Sequence, residues 1–162
     1  MIIRSEVSFT RPANTTAYSA NDVIGPASGQ AVSAFNFDRN RVNIVGAQVV
    51  STATQDTVGV LYLVTSSSYA PGADNAAITL PVFADGLIGV VTLGQCTAMP
   101  SVLEATTYTI AGGAFFLPAS LPATLPNGTI YCALQTPTGF TPASGQQFRI
   151  SLFAEVTERA WG

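Results

Sequence analysis

Lysine and histidine are both absent from this sequence of 162 residues, and charged residues of all kinds make up only 9% of it. Without histidine, a Ser-His-acid catalytic triad cannot form. Without lysine, neither Schiff-base chemistry nor a phosphate-binding P-loop is available. The sequence also contains no GxSxG motif and no glycine-rich dinucleotide loop. These absences predict a protein that is not an enzyme, has no catalytic residues and needs no cofactor.

The acidic residues and the cysteines offer little for acid–base or metal chemistry. Asp74 and Asp85 flank an alanine-rich segment, where capping and loop solvation explain them without a catalytic pair. Cys96 and Cys132 are far apart and no histidine accompanies them, so we expect no metal site. The start MIIRSEVSFT lacks the pattern of a signal peptide. We therefore expect two free thiols packed as small apolar groups rather than a disulfide.

The charge balance limits the possible partners. The net charge is −3 and the six arginines are scattered rather than clustered, which argues against nucleic acid binding. No apolar run approaches the roughly 20 residues that cross a bilayer, so we expect no membrane partner. A surface of Ser, Thr, Asn, Gln, Ala and Gly carries few of the charges that keep solitary proteins apart. Either the source organism avoids lysine or, as we favour, much of this surface is covered by other subunits.

Periodicity predicts strands and almost no helix. From Phe148 to Val156 apolar residues alternate with mostly polar ones, as in a strand with one face in a core. The run 58–65 is apolar on both faces, which indicates a central strand or an interface strand. Elsewhere, short runs rich in Val, Ile, Thr, Tyr and Phe are separated by Gly, Pro, Asn and Ser. The other predicted strands lie at 3–9, 31–37, 41–53, 87–93, 107–111 and 129–136.

Three local features depart from the pattern of regular strands. The apolar parity of the run 41–53 slips at Gly46, which predicts a β-bulge there. The proline-rich stretch 117–127, LPASLPATLPN, is too broken for a strand and predicts an extended loop across one end of the fold. A single helical turn is expected between Asp74 and Asp85.

Eight or more short strands separated by turn signals predict an all-β fold. We expect a single antiparallel β-sandwich domain over 1–162, jelly-roll-like, with an extended N-terminal segment at 1–25. The pentapeptide PASGQ occurs at Pro26–Gln30 and again at Pro142–Gln146, each time just before an apolar run. Proline favours an extended chain and Ser-Gly turns it. Each copy is therefore predicted to be a turn that leads into a strand.

The polar segment 10–25, TRPANTTAYSANDVIG, contains the first candidate interface residues. Arg11 and Asp22 could pair across it, and Tyr18 could pin it to the rest of the fold. An ordinary loop packed on the sandwich would have the same composition, so both interpretations stay open.

The remaining candidate interface residues lie in two other places. Arg39 and Arg41, in the run DRNR, share one side of a turn or strand start, and exposed arginine is favoured at protein interfaces. A solvated hairpin tip is the alternative there. Trp161 is one residue from the end of the sequence, where it could dock on its own domain or on a partner.

Three segments carry a resemblance to a known family. The most specific is FTRPANTTAYSANDVIG at 9–25, which follows the pattern I-T-R-P-A-[DN]-T-T-A-Y-x-A-x-D-V. The second is YAPGADNAAITLPVFADGLIGVV at 69–91, and the third is TPASGQQFRISLFAEV at 141–156. In the same order, these segments resemble parts of tailed-bacteriophage virion structural proteins of the capsid decoration, or cement, type. The stretch 94–127 has no counterpart.

The departures from the family pattern are small. Asn14 and Asn21 stand where other members often have Asp and Gly, and Gln146 stands where Glu is common. The resemblance implies a β-sandwich protein, often a homotrimer, seated on the capsid exterior between copies of the major capsid protein. The implied location is the virion, assembled in the host cytoplasm.

A second function stays open beside this one. Tail-fibre and baseplate modules bind receptors or glycans, and β-sandwiches also host lectins. A glycan site usually offers an exposed aromatic ring beside Asp, Asn or Arg. Two such combinations occur here: Tyr69 with Asp74 and Asn75, and Tyr18 with Asn21 and Asp22.

Overall fold

Two antiparallel β-sheets account for nearly all regular structure of the protein, in a computed structural model that describes residues 1–53, 59–93, 97–99, 103–109 and 121–156. No α-helix occurs in these ranges, and the one helical element is a short 3-10 turn. The all-β prediction is therefore confirmed. The strands, numbered in chain order, are β1 (Ile2–Thr10), β2 (Asp22–Ile24), β3 (Val32–Asn36), β4 (Arg41–Ser51), β5 (Val60–Val64), β6 (Leu87–Thr92), β7 (Thr97–Met99), β8 (Leu103–Thr109), β9 (Leu121–Thr124), β10 (Thr129–Thr136) and β11 (Gln147–Glu155).

The first sheet has the strand order β1-β11-β4-β8-β7, and β9 pairs with the first half of β4. The second sheet has the order β2-β10-β5-β6, and β3 pairs with β10 next to β2. Successive described strands change sheet at β1 to β2, β3 to β4, β4 to β5, β6 to β7, β9 to β10 and β10 to β11. This alternation between two sheets is the connectivity of a jelly-roll-like sandwich, as predicted.

One hydrophobic core fills the space between the sheets. On β11, Phe148, Ile150, Leu152 and Ala154 are buried in it, which confirms the predicted alternation. The strand β5 lies between β10 and β6, so the run that is apolar on both faces is a central strand. The core side chains from both sheets alternate with outward-facing ones because successive residues of a strand point to opposite faces.

The predicted bulge at Gly46 is present. Phe153 pairs with Gly46 and the next residue of β11, Ala154, pairs with Ile44, so Val45 is an extra residue in β4. Before the bulge, Val42 and Ile44 face the core, and after it Ala47 and Val49 do. The extra residue restores the apolar face, because a shift of one residue would turn every later side chain to the other face.

The prediction for the proline-rich stretch is wrong in one part. Residues 121–124 form β9, in which Pro122 pairs with Asn43 of β4. Among the described strands β9 pairs with β4 alone, so it lies at an edge of the sheet. An edge strand tolerates proline because one side of its backbone needs no donor for a neighbouring strand. The earlier part of the stretch, 117–120, lies outside the described residues.

The chain changes direction at both PASGQ copies. Gly29 has φ 79° and Gly145 has φ 61°, in the left-handed region that glycine adopts without strain, and β3 and β11 follow them. Both copies bind the chain at the end of β1. The amide of Ala27 donates to the Thr10 carbonyl at 3.1 Å, and the amide of Gly145 donates to the Pro12 carbonyl at 3.2 Å. The prediction that each copy leads the chain into a strand is confirmed.

The long connection between β5 and β6 covers the outer face of the second sheet. We call residues 65–86 the covering segment. Tyr69 from this segment packs with Val64 and Ala133 in a small apolar cluster outside the main core. The segment ends in the 3-10 turn Phe83–Asp85, which agrees with the helical turn predicted between Asp74 and Asp85.

Candidate functional site

A buried arginine joins parts of the chain that are far apart in the sequence. The Arg11 side chain is 1% exposed. Its Nε donates to the hydroxyl oxygen of Tyr18 at 3.0 Å. Its Nη1 donates to the carbonyl oxygens of Asn14, Ala143 and Pro12 at 2.6, 3.1 and 3.3 Å. Its Nη2 donates to the Asn14 Oδ1 at 3.2 Å. A buried guanidinium is tolerated when its donors are satisfied in this way.

The negative partner of this arginine is Asp74. Its Oδ2 lies 3.6 Å from the Arg11 Nη2, and both side chains are almost fully buried. Its Oδ1 accepts from the Tyr18 hydroxyl and from the backbone amide of Gly25, the latter at 3.0 Å. We call Arg11, Tyr18 and Asp74 the Arg11 network. Removing one member of such a buried pair leaves the other as an uncompensated charge, which is strongly destabilising.

Tyr18 connects the network to the end of the sandwich. The Arg11 guanidinium lies 5.2 Å from the centre of the Tyr18 ring, and the Phe140 ring lies 4.8 Å from it on centroids. The Tyr18 amide also donates to the Phe140 carbonyl at 2.9 Å. Burial, followed by the hydrogen bond to Asp74, raises the pKa of the Tyr18 phenol well above its ordinary value. Tyr18 therefore remains a neutral donor to the carboxylate.

The predicted pair of Arg11 with Asp22 is wrong, because Arg11 pairs with Asp74 instead. Asp22 is buried at the start of β2, and its Oδ2 accepts from the amide of Ser19 at 2.6 Å. That contact closes the turn in which Asp22 itself lies. The interface role predicted for Arg11, Tyr18 and Asp22 stays a prediction. Since all three are buried, they would serve an interface by ordering the segment 10–25 rather than by touching a partner.

The other predicted interface residues are placed differently. Arg39 and Arg41 are exposed at the turn between β3 and β4, where Arg39 Nη1 donates to the carbonyl of Asp38 at 3.0 Å. Both guanidinium groups face solvent, so their interface role also stays a prediction. Trp161 lies outside the described residues.

The two aromatic residues considered for glycan binding do not offer exposed rings. Tyr69 is 4% exposed and its hydroxyl donates to the Thr79 carbonyl at 2.8 Å. Tyr18 is 3% exposed within the Arg11 network. The expectation of an exposed ring at either position is therefore wrong. Tyr69 is buried because the covering segment folds back over the second sheet, which a local reading of the sequence does not reveal.

Sequence reasoning missed an exposed apolar surface at the end of the covering segment. We call it the apolar patch, and its most exposed member is Phe83, at 100%. In the sequence, this surface corresponds to an apolar run that Pro81 interrupts. The run is too short for a strand and lacks helical spacing. The members of the patch are Leu80, Val82, Phe83, Leu87 and Val90.

Several hydrogen bonds hold the turn that presents Phe83. The Val82 amide donates to the Asp85 Oδ2 at 2.8 Å, and the Gly86 amide donates to the Phe83 carbonyl at 3.1 Å. The end of β5 is joined to the same turn, since the Thr65 amide donates to the Gly86 carbonyl at 3.0 Å. The exposed ring therefore projects from an ordered support rather than from a free loop.

The described parts of the chain show neither a metal-binding cluster nor a membrane-spanning helix. They contain no cluster of three or more His, Cys, Asp or Glu side chains arranged to hold a metal ion. In the same residues, no helix has the length and apolar character needed to cross a membrane. Cys132 is a buried free thiol, as expected, and burial raises its pKa. Cys96 lies outside the described residues.

Comparisons with known proteins add little to what the strands themselves show. No family model matches the chain, and no curated protein matches it. Among solved structures, the unassembled KI polyomavirus VP1 pentamer is similar at a TM-score of 0.27 and 9% sequence identity, over 98% of this chain and 96% of that one. With so low a score, the assignment as a β-sandwich depends on the strands and their pairing in this chain.

Proposed function

We propose that this chain is a structural protein of a bacteriophage virion, and more specifically a capsid decoration protein. The observation that carries the proposal is where the three family-like segments meet. Arg11 and Tyr18 belong to the first segment, Asp74 to the second and Ala143 to the third, and all four are in contact in or around the Arg11 network. The resemblance therefore involves residues that hold one end of the fold together, rather than three unrelated stretches.

The physical character of the molecule suits a cement protein. Such a protein needs a stiff body and a broad contact surface, and it needs no active site. The β-sandwich with its single core supplies the stiffness, and its sparse charge leaves much surface that a neighbour can cover at a small desolvation cost. Several modest contacts from one oligomer raise the apparent affinity for a lattice far above that of a single contact.

The finer parts of the proposal concern the domain, the partners and the location. We propose a single domain over residues 1–162 that binds the major capsid protein on the capsid exterior as a homotrimer, in virions assembled in the host cytoplasm. Arg39 and Arg41 would contact the capsid, since they are exposed and arginine is enriched at protein interfaces. Trp161 is proposed as a further contact residue.

Binding to heads tests this function directly. Purified protein is added to expanded heads of the encoding virus that lack it, and the heads are reconstructed by cryo-electron microscopy with and without the protein. We expect extra density on the outer shell at sites repeated by the capsid symmetry. Binding should weaken in the double variant R39S/R41S. The matched control is Arg149→Ser, which removes an exposed arginine from the outer face of the first sheet.

Two outcomes would contradict the decoration role. Heads that never acquire the density would rule it out. Density at the tail or baseplate of the virion would favour the receptor-binding alternative instead. That alternative is weakened by the burial of Tyr18 and Tyr69, the two rings on which a glycan would have stacked.

A further inference from the structure

The apolar patch is unusual because five large apolar side chains are exposed within one stretch of eleven residues, 80–90. Leu80, Val82 and Phe83 are 56%, 61% and 100% exposed, and Leu87 and Val90 are about half exposed. Phe83 alone exposes an area of about 150–250 Å², as is usual for an aromatic side chain, and the five side chains of the patch together expose on the order of 500 Å² of apolar surface. Solitary proteins rarely expose contiguous apolar patches larger than a few hundred Å². The patch is therefore at the upper end of what a solitary protein exposes, and patches of this size often serve in binding.

The turn beneath Phe83 is fixed before any partner arrives. Gly86 has φ 66°, and a Cβ on it would lie 2.0 Å from the Thr65 Oγ1, so the turn packs closely on the end of β5. A turn whose backbone is already ordered loses less conformational entropy on binding than a free loop does. Interfaces gain most of their affinity from a few such aromatic anchors near their centre.

The strand next to the patch has one edge that no other described strand pairs with. Among the described strands, β6 pairs with β5 alone, so it is an edge of the second sheet. Its six residues, LIGVVT, include no charged residue and no proline. Exposed edges are usually protected by such residues, because an unprotected edge pairs with other strands. β6 has no charged residue and no proline, but its pairing with β5 contains a bulge between Leu63 and Val64, and Gly89 lies against the Leu121 side chain of β9.

The charges indicate which partner the patch fits. Asp85 is the only charged residue between 80 and 92, and its carboxylate accepts the Val82 amide within the turn. Near a rotation axis each residue meets its own copy, so any charge there would meet a like charge. Each copy carries a net charge of −3. A patch with almost no charge is the surface on which two such copies can approach most easily.

We infer that the apolar patch is the contact between copies of this chain, with Phe83 close to the symmetry axis of the oligomer. Two patches together bury about 1,000 Å², the area that a specific interface needs at the least. Pairing at the edge of β6 would add backbone hydrogen bonds to the apolar contact. The inference names the surface behind the proposed oligomer but does not depend on capsid binding.

Sedimentation velocity over a range of protein concentrations tests the inference. We expect the unaltered chain to associate and the variant Phe83→Asp to associate at least about 30-fold more weakly, as for a central anchor of an interface. The control is Ile2→Asp, since Ile2 is an exposed apolar residue of β1 outside the patch. A monomer at all concentrations, or an oligomer that Phe83→Asp leaves unchanged, would overturn the inference. Phe83 is fully exposed, so we expect Phe83→Asp to fold normally. A thermal unfolding curve of the variant, compared with that of the unaltered chain, checks this.

Cross-linking tests the position of the axis separately. The variants Phe83→Cys and Ile2→Cys are made in a Cys96→Ser background and oxidised at low protein concentration. Cys132 can stay because it is buried. Fast formation of a covalent dimer by Phe83→Cys, and not by Ile2→Cys, would support the inference. Equal rates for both would overturn it. If Phe83→Asp abolishes binding to heads but leaves the oligomer intact, the patch belongs to a capsid contact and the inference fails, whereas the decoration role stands.

Discussion

The Arg11 network and the apolar patch reverse the usual placement of charged and apolar groups. In the network, an arginine and an aspartate are buried, whereas in the patch a phenylalanine is fully exposed. One family-like segment, 69–91, contributes to both, with Asp74 at the network and Phe83 at the patch. Among the few charges of this chain, one pair thus holds the subunit itself together. The apolar group that a protein usually buries remains on the surface, where we propose that a second copy covers it.

This difference predicts that substitutions in the network change the stability of the folded chain, whereas substitutions in the patch change its association. The network acts within one chain, so its loss should lower the free energy of unfolding of the subunit. The patch contacts little of its own chain, so changes at Phe83 should act on association and hardly on unfolding. The predictions below test that separation, beginning with the largest expected effect.

The variant Arg11→Met should lower the free energy of unfolding by about 3–5 kcal/mol, because it leaves Asp74 buried without its partner. Equilibrium unfolding in urea measures this change. Arg39→Met serves as the matched control, since Arg39 is exposed and its loss should cost less than about 0.5 kcal/mol. The double variant R11M/D74N should recover part of the loss, because the unpaired carboxylate is gone. Equal effects for Arg11 and Arg39 would mean that the network does not hold the fold.

The variant Gly86→Ala should destabilise the turn under the patch by about 1–3 kcal/mol, the usual cost of a strained backbone position. Gly29→Ala is the control, because Gly29 also has a positive φ but no atom within 4 Å of the added Cβ. The excess cost at Gly86 therefore measures the contact with Thr65. If the two substitutions cost the same, the turn is less closely packed than its geometry indicates.

High pH should destabilise the fold through buried tyrosines. Burial, followed by the nearby Asp85 carboxylate, raises the pKa of Tyr69 to about 12. An unfolded tyrosine loses its proton near pH 10, so the stabilisation is complete below pH 10 and is lost as the pH rises to about 12. Urea unfolding at several pH values measures this decline.

The variant Tyr69→Phe gives the matched comparison for the alkaline decline. It should cost about 1 kcal/mol at pH 7, for the lost hydrogen bond to Thr79, and its stability should fall less steeply above pH 10. The remaining decline should come from the other groups whose pKa burial raises, which are Tyr18, Tyr62 and Cys132. A variant with the same steep decline as the unaltered chain would show that Tyr69 does not contribute.

The smallest effect on unfolding is expected at Phe83. Phe83→Ser should change the free energy of unfolding by less than about 0.5 kcal/mol when measured on the monomer, because the ring contacts solvent. The same substitution should greatly weaken association. A large loss of monomer stability would mean that Phe83 packs on its own chain in solution, and the contrast between network and patch would disappear.

Local patterns in the sequence were enough to predict most strands. The alternation from Phe148 onward, the slip at Gly46 and the PASGQ turns each depend on a few neighbouring residues, and the structure confirms all three. The strand β9 was missed because proline usually excludes a strand. Its tolerance here depends on an edge position that only the assembled sheet creates.

The candidate site was harder to predict because its contacts are long-range. Arg11 and Asp74 are brought together by the return of the covering segment over the second sheet, so the nearer residue Asp22 was the natural but wrong partner. Tyr69 was expected to be exposed and is buried by that same segment. Phe83 resembled an ordinary apolar residue of a short turn, since no periodicity in the sequence distinguishes a buried ring from an exposed one.

The most direct test of the account is a reconstruction of virus heads that carry this protein, at a resolution that places the sandwich. The account predicts copies clustered around a symmetry axis on the outer shell, with residues 80–90 of neighbouring copies in contact at that axis. Heads without the protein, or copies bound singly with Phe83 facing solvent, would contradict it.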